Sequence, residues 1–250
     1  MKTQLDPSPF DGLLKASAAR IAQYPWDQIA GNLDTYGAAV LPGLLSSDDC
    51  TCVADLFSDT SLVRVPAVEE QQRWGNGNYR YMRYPLPEKV SSLRTVLYPY
   101  LVPIANGWNE RMDIGERYPF DHETYLETCY RSGQTIPTSM MLDHSVGQQT
   151  LLHQDVYGEK AFPLQTVIML SQRGADFNGG EFVITEQRPR MQTRPEVVTL
   201  NKGDALVFAT SNRPVNGTRG MYRVNLRHGF SQVREGKQRV LSIIFHDAAK

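Results

Sequence analysis

The chain has 250 residues, 41% of them apolar, and a formal net charge of −1. That length and apolar content suffice for one full core and would cramp two unrelated domains. The near-neutral balance excludes a protein that coats nucleic acid through bulk charge. Cys50, Cys52 and Cys129 do not make a disulfide framework, and the start Met1 to Pro7 has no apolar signal core. No run approaches the ~18 consecutive apolar residues of a membrane span. A reducing, cytoplasmic setting with no membrane partner is therefore expected.

Residues 1 to 10 are polar and proline-bearing and read as a loose tail. Apolar residues at helical spacing predict helices over Leu13 to Ile21 and Trp26 to Tyr36, after which Gly37 to Gly43 breaks the period and reads as a short strand and turn. Ser46 to Asp49 supplies short oxygen-bearing side chains that cap a helix from Cys50 to Phe57. Gly75 to Tyr81 reads as a turn feeding a strand, and Pro87-Glu88 opens an amphipathic helix toward Trp108 that Pro99 and Pro103 are expected to divide. Asp121 caps a further helix carrying Tyr125, Leu126 and Cys129 and ending near Gly133. Beyond Pro137, short strands punctuated by Gly, Pro and Asn predict a jelly roll. The expected fold is mainly β: a double-stranded β-helix over residues 136–250, with residues 1–135 packed on it as a helical and strand extension in one structural unit.

The chemistry concentrates in that second part. His153 and Asp155 flank Gln154, and on a strand such an alternation puts both on one face, within reach of one ion. Two imidazoles and a carboxylate on one side of a metal leave the opposite positions open, which suits Fe(II) handling dioxygen, whereas structural zinc wants a closed site, usually with thiolates. Downstream come Gly179-Gly180-Glu181, then Lys202-Gly203-Asp204 to Phe208, then a strand with Val224, Leu226 and His228 on one face. After Gly236, Arg239 shares a face with Leu241, Ile243 and Phe245. A guanidinium on an apolar strand face is expensive unless it meets an anion, and a bidentate carboxylate would satisfy it.

H-x-D, GGE, GD-x-x-x-F and HG…V…G-x-x-R in this order resemble the Fe(II)/2-oxoglutarate-dependent dioxygenases, nearest to the prolyl-hydroxylase-like branch. Leu152 to Gly158, Phe162 to Gln165 and Phe245 to Ala248 resemble an uncharacterised bacterial group of that superfamily. The match covers roughly residues 136 to 248. The resemblance implies that His153, Asp155 and His228 bind Fe(II), and that Arg239 clamps the far carboxylate of 2-oxoglutarate. It further implies hydroxylation or oxidative demethylation of a C–H bond with dioxygen, releasing succinate and CO2. Where relatives often carry a tyrosine touching 2-oxoglutarate, this chain offers His144, which is either a co-substrate contact or a satisfied core histidine.

His122, beside a helix start, reads as structural, and His246 falls on the opposite parity from Arg239 and is expected to face away from the site. Arg188, Arg190, Arg194, Arg213, Arg219, Arg223 and Arg227 either pair with acids such as Glu186, Glu196 and Asp204 or form an electropositive rim for an anionic substrate. Tyr157, Phe177 and Tyr222 are candidates for stacking on a base or sugar. A protein side chain, a modified nucleobase and an anionic metabolite all remain open as substrate. So does a metal-containing jelly-roll module that binds a small acid or sugar without turnover.

Overall fold

The computed structural model describes residues 9–64, 74–218 and 220–249. Its N-terminal part carries helices α1 (Pro9–Gln23), α2 (Trp26–Tyr36), α3 (Ser47–Asp55), α4 (Glu88–Arg111) and α5 (His122–Arg131). Local chemistry sets their ends. Gly37 closes α2 in the left-handed conformation, φ 75°, and returns its N–H to the Leu33 carbonyl at 3.0 Å. Ser46 and Asp49 form a reciprocal capping box at the start of α3, and the Asp121 carboxylate accepts the Thr124 N–H at 2.8 Å to open α5.

The expected division of the long helix does not occur: α4 runs unbroken through Pro99 and Pro103. Four residues apart, the two prolines lie on one face, with Thr95 exposed, Pro99 half-buried and Pro103 exposed. The carbonyls they deprive of a donor lie on the side of the helix nearest water, so the ladder loses bonds where solvent replaces them. The opposite face packs Leu93, Leu97, Leu101 and Trp108 into the core.

Two antiparallel sheets form the body. The larger runs in the order β1 (Ala38–Leu41), β11 (Ala205–Ala209), β7 (Leu164–Met169), β14 (Val233–Ile244), β5 (Met140–Ser145), β3 (Asn78–Met82) and β2 (Val63–Arg64), with β8 (Phe177–Gly179) pairing on β14. The smaller runs β10 (Arg194–Val198), β9 (Phe182–Gln187), β13 (Gly220–Phe230) and β12 (Asn212–Gly217), with β6 (Thr150–His153) pairing on β13. A short β4 (Gln134–Ile136) pairs with β15 (Ala248–Ala249). Strands from before residue 135 occupy three positions in the larger sheet, so the N-terminal part is woven into the core.

The inner faces of the two sheets meet at Phe182 and Phe208, whose rings lie 4.8 Å apart. The outer face of the larger sheet is covered by helices, which explains why β7 and β11 are buried along their whole length. There Tyr98 of α4 packs on Phe245 and Phe162, and Arg94 enters the layer from the same helix. Its guanidinium is fully engaged: Nε donates to the Ile244 carbonyl at 2.7 Å, one terminal nitrogen to Asp247 at 2.8 Å and the other to the Tyr84 hydroxyl at 3.1 Å. Breaking such a buried pair by removing one partner is strongly destabilising.

Two histidines flank this cation. His122 donates to the Phe245 carbonyl at 3.0 Å, and His246 accepts the Phe162 N–H at 3.1 Å. Burial, and then Arg94, pushes both imidazoles down to about 3. In the unfolded chain they titrate near 6.5, so below that pH the unfolded state binds protons that the folded state refuses. Stability should therefore fall as pH drops from neutral toward 3. Urea unfolding at pH 7 and pH 5 checks this: His122→Gln should remove about 2 kcal/mol of the pH-dependent loss over that interval. An unchanged slope would show that His122 is not held neutral.

Candidate metal centre

β6 ends on His153, Asp155 follows two residues later, and His228 stands directly opposite His153 in the β6–β13 pairing. The strands can lie that close because residue 229 is glycine. A Cβ there would stand 2.4 Å from the Thr150 carbonyl oxygen and 2.9 Å from that of Leu151. Gln154 points away from its neighbours and ties the segment down, donating to the Leu226 carbonyl at 2.7 Å.

The three side chains converge, with one donor atom from each lying within 4.8 Å of the others. Asp155 stands between the rings, 3.4 Å from His153 Nε2 and 3.3 Å from His228 Nε2. His153 Nδ1–H donates to the Leu151 carbonyl at 2.7 Å, which leaves its Nε2 lone pair facing the cluster. Phe208 and Phe182 hold the His228 ring at centroid distances of 4.5 and 6.0 Å. The Tyr157 hydroxyl donates to Asp155 at 2.8 Å and fixes the carboxylate plane.

Burial pushes the Asp155 carboxyl up, but the imidazoles, His153 foremost, outweigh it and hold Asp155 well below the usual carboxylate range. His228 is pushed down to about 4 by burial and by the neighbouring His153. The cluster thus offers an ionised carboxylate and, at His228, a neutral imidazole; at His153 burial is outweighed by the neighbouring Asp155, which raises that imidazole, so a cation would displace a proton there on binding. A cavity opens beside it between the two sheets. Trp74 and Tyr79 wall one side, with Tyr81, Tyr157, Gln165 and Ser242 further round. The Trp74 ring meets His153 edge-on at 4.4 Å, and its indole Nε1–H is buried without a partner. Gln165 Oε1 is likewise buried and unpartnered.

Arg239 is not part of this cavity. Side chains alternate along β14, and Ser242 lines the cavity, so Arg239 projects to the other face. There it borders an outer hollow with Lys202 and Lys237, and its Nε lies 3.4 Å from Asp143. The clamp expected at Arg239 therefore has no counterpart in the lining of this cavity. Its apolar face is real, but it packs under the helical layer.

His144 shares the inner face of β5 with Met140 and Leu142, yet both ring nitrogens are engaged, by Gln238 at 3.3 Å and by Thr150 at 3.2 Å. Gly77 closes over it, where a Cβ would stand 2.4 Å from Nε2. In this arrangement it buttresses β6. His246 lies outside the donor cluster, behind Tyr157 at a ring distance of 6.0 Å.

The arginine segment is consumed locally at three positions, while Arg190, Arg194 and Arg227 are exposed. Arg188 and Arg213 both pair with Glu186, and Arg223 donates to the Met112 carbonyl. Arg219 lies outside the described residues. Phe177 is buried, while Tyr157 borders the cavity. Trp74 escaped the sequence reading because nothing local marks it. Gly229 carried a visible signal, a glycine directly after a ligand histidine.

A family model described as "Oxygenase, catalysing oxidative methylation of damaged DNA" matches residues 77–248, well over half the chain. Two uncharacterized proteins of Mycobacterium tuberculosis, from strains CDC 1551 and H37Rv, are each 42% identical over 165 residues, covering 66% of this chain and 71% of theirs. Among solved structures, a 2OG-Fe(II) oxygenase family oxidoreductase from Burkholderia pseudomallei superposes with a TM-score of 0.53 at 15% identity, covering 91% of this chain and 93% of that one. A Trichoplax adhaerens prolyl hydroxylase, solved with a hypoxia inducible factor peptide, gives 0.56 at 12% identity, covering 97% and 94%. A Pseudomonas putida prolyl-4-hydroxylase gives 0.53 at 11% identity, covering 87% and 96%. The chain belongs to this oxygenase family and is an enzyme, and its jelly-roll fold, within which the His–Asp–His donors converge, is the one shared by the 2OG-Fe(II) oxygenase and prolyl hydroxylase structures it superposes on.

Proposed function

We propose that His153, Asp155 and His228 hold Fe(II), that 2-oxoglutarate enters the adjoining cavity, and that the substrate is a methylated base of damaged DNA. The observation that carries this is the convergence of three donors of the right kind beside an aromatic-walled cavity. The donor set fits the metal: a carboxylate kept ionised, an imidazole kept neutral, and a second imidazole whose other nitrogen is pinned to a backbone carbonyl. Two unpartnered polar atoms, Trp74 Nε1 and Gln165 Oε1, fit a polar guest inside an otherwise apolar cavity. The family description supports the choice of DNA, and no helix among the described residues is long and apolar enough to cross a membrane.

The metal and co-substrate together supply the oxidant that places one oxygen of dioxygen on a C–H bond, with the 2-oxo acid lost as succinate and CO2. On a methyl group attached to nitrogen the hydroxylated product breaks down with loss of formaldehyde, so insertion of oxygen removes the methyl group. This chain's own part is positioning. Tyr157 keeps the Asp155 carboxylate oriented, Phe182 and Phe208 keep water from the His228 side, and Trp74 offers a flat wall with a free N–H for a base.

Protein reconstituted anaerobically with Fe(II) and then given air and 2-oxoglutarate should release succinate, faster when a methylated single-stranded oligonucleotide is present than with its unmethylated counterpart. Formaldehyde should appear in step. His228→Ala should reduce succinate to background, and equal release by both proteins would refute the metal assignment. Gly229→Ala tests the strand approach separately: forcing β6 from β13 should weaken metal binding by about 10- to 100-fold, the scale of misaligned ligands, while far-UV circular dichroism stays unchanged. Unaltered affinity would mean that the contact at Thr150 relaxes without moving His153.

A further inference from the structure

With Arg239 on the outer face, the residues lining the cavity include no lysine or arginine. Nearby cations are committed elsewhere. Arg94 is paired with Asp247, Lys237 with Asp143 at 2.8 Å, and Arg80, on the opposite parity of β3 from Tyr79 and Tyr81, donates to the Phe57 carbonyl at 2.6 Å. Yet both guests of the proposed reaction bring an oxyanion that the metal does not take: the far carboxylate of 2-oxoglutarate and the phosphates of a nucleic acid.

Arg64 stands out against this background. It belongs to the edge strand β2 and pairs with Tyr81 of β3 in the antiparallel register. Directly paired residues project to the same face of a sheet, so Arg64 and Tyr81 share the side on which Tyr81 lines the cavity. The guanidinium carbon sits 4.4 Å from the centre of the Tyr81 ring. Its Nε is buried and has no hydrogen-bond partner, and among the described residues Arg64 makes no ion pair. The ring face compensates such a cation only in part. A half-buried guanidinium left this way is costly, and its planar fork matches the two oxygens of a carboxylate or phosphate.

We propose that Arg64, stacked on Tyr81 at the edge of the cavity and outside its lining, is the cation that meets an oxyanion entering it, with the Tyr81 ring as the platform that holds it ready. The proposal rests on the functional reading above. It reassigns to β2 the role that the sequence suggested for β14.

Wild-type protein, Arg64→Ala, Arg64→Gln and Arg239→Ala, each loaded with Mn(II) as a redox-silent metal, are compared in two equilibrium titrations. One uses 2-oxoglutarate by calorimetry, and the other a fluorescent single-stranded oligonucleotide by anisotropy at several salt concentrations. Arg64→Ala should weaken at least one ligand about tenfold or more, as expected for a charge-assisted bidentate contact. Arg239→Ala should change neither. A loss confined to the first titration identifies the carboxylate; a loss in the second with a salt slope shallower by about one identifies a phosphate. If Arg64→Ala does not fold, Arg64→Gln keeps the aliphatic stem and a polar end, shorter and without the charge, and gives the same readout. Wild-type affinity for both ligands in the Arg64 variants overturns the proposal. Failure of the wild-type protein to bind metal and 2-oxoglutarate at all would instead sink the functional reading.

Discussion

At Thr150 and Gly229 two strands of the smaller sheet come so close that there is no room for a single methyl group between them. That approach sets His153 across from His228 and leaves Asp155 to fill the gap between their rings. A carboxylate and two imidazoles are buried together there: the imidazoles hold Asp155 ionised, while burial keeps His228 from taking a proton. The protein sustains the cluster by rigid support. Aromatic rings pack His228, a backbone carbonyl pins His153, and a tyrosine hydroxyl holds Asp155.

The larger sheet plays a different part. Its central strands are covered on both sides, one face turned to the smaller sheet and the other to the helices, so its side chains serve two separate environments. Ser242 and Arg239 lie three residues apart on β14 and end up on opposite sides of the molecule's main layer. On the helical side, Arg94 joins α4 to the end of β14 through Ile244 and Asp247. This cross-layer tie anchors the helix to the sheet one turn ahead of its two prolines.

These two faces also mark the limit of what the sequence conveys. His153, Asp155 and His228 were legible because strand alternation is local and the motif order around them is long. Arg239 was legible as a cation on an apolar face, but a strand buried on both sides has two such faces, and periodicity cannot say which one borders the cavity. The proline pair was misjudged because propensity treats each proline alone, whereas their shared solvent-side placement needs the packed helix to be seen. Arg64 could not be found at all. Its strand is two residues long, and its meaning comes from a register with Tyr81 fixed by tertiary pairing. Caps, by contrast, depend on neighbours in sequence, and those at Ser46 and Asp121 fall where the residues indicate.

The second edge of β6 is not open to solvent. The Leu151 N–H donates to the Trp74 carbonyl at 2.8 Å, and Gly75 bridges to Thr150. The indole and the first donor histidine are consequently mounted on the same hydrogen-bonded piece of backbone, with their rings in contact. A guest that leaned on the indole would therefore press through that shared backbone and ring contact on His153, one of the side chains that would hold a metal.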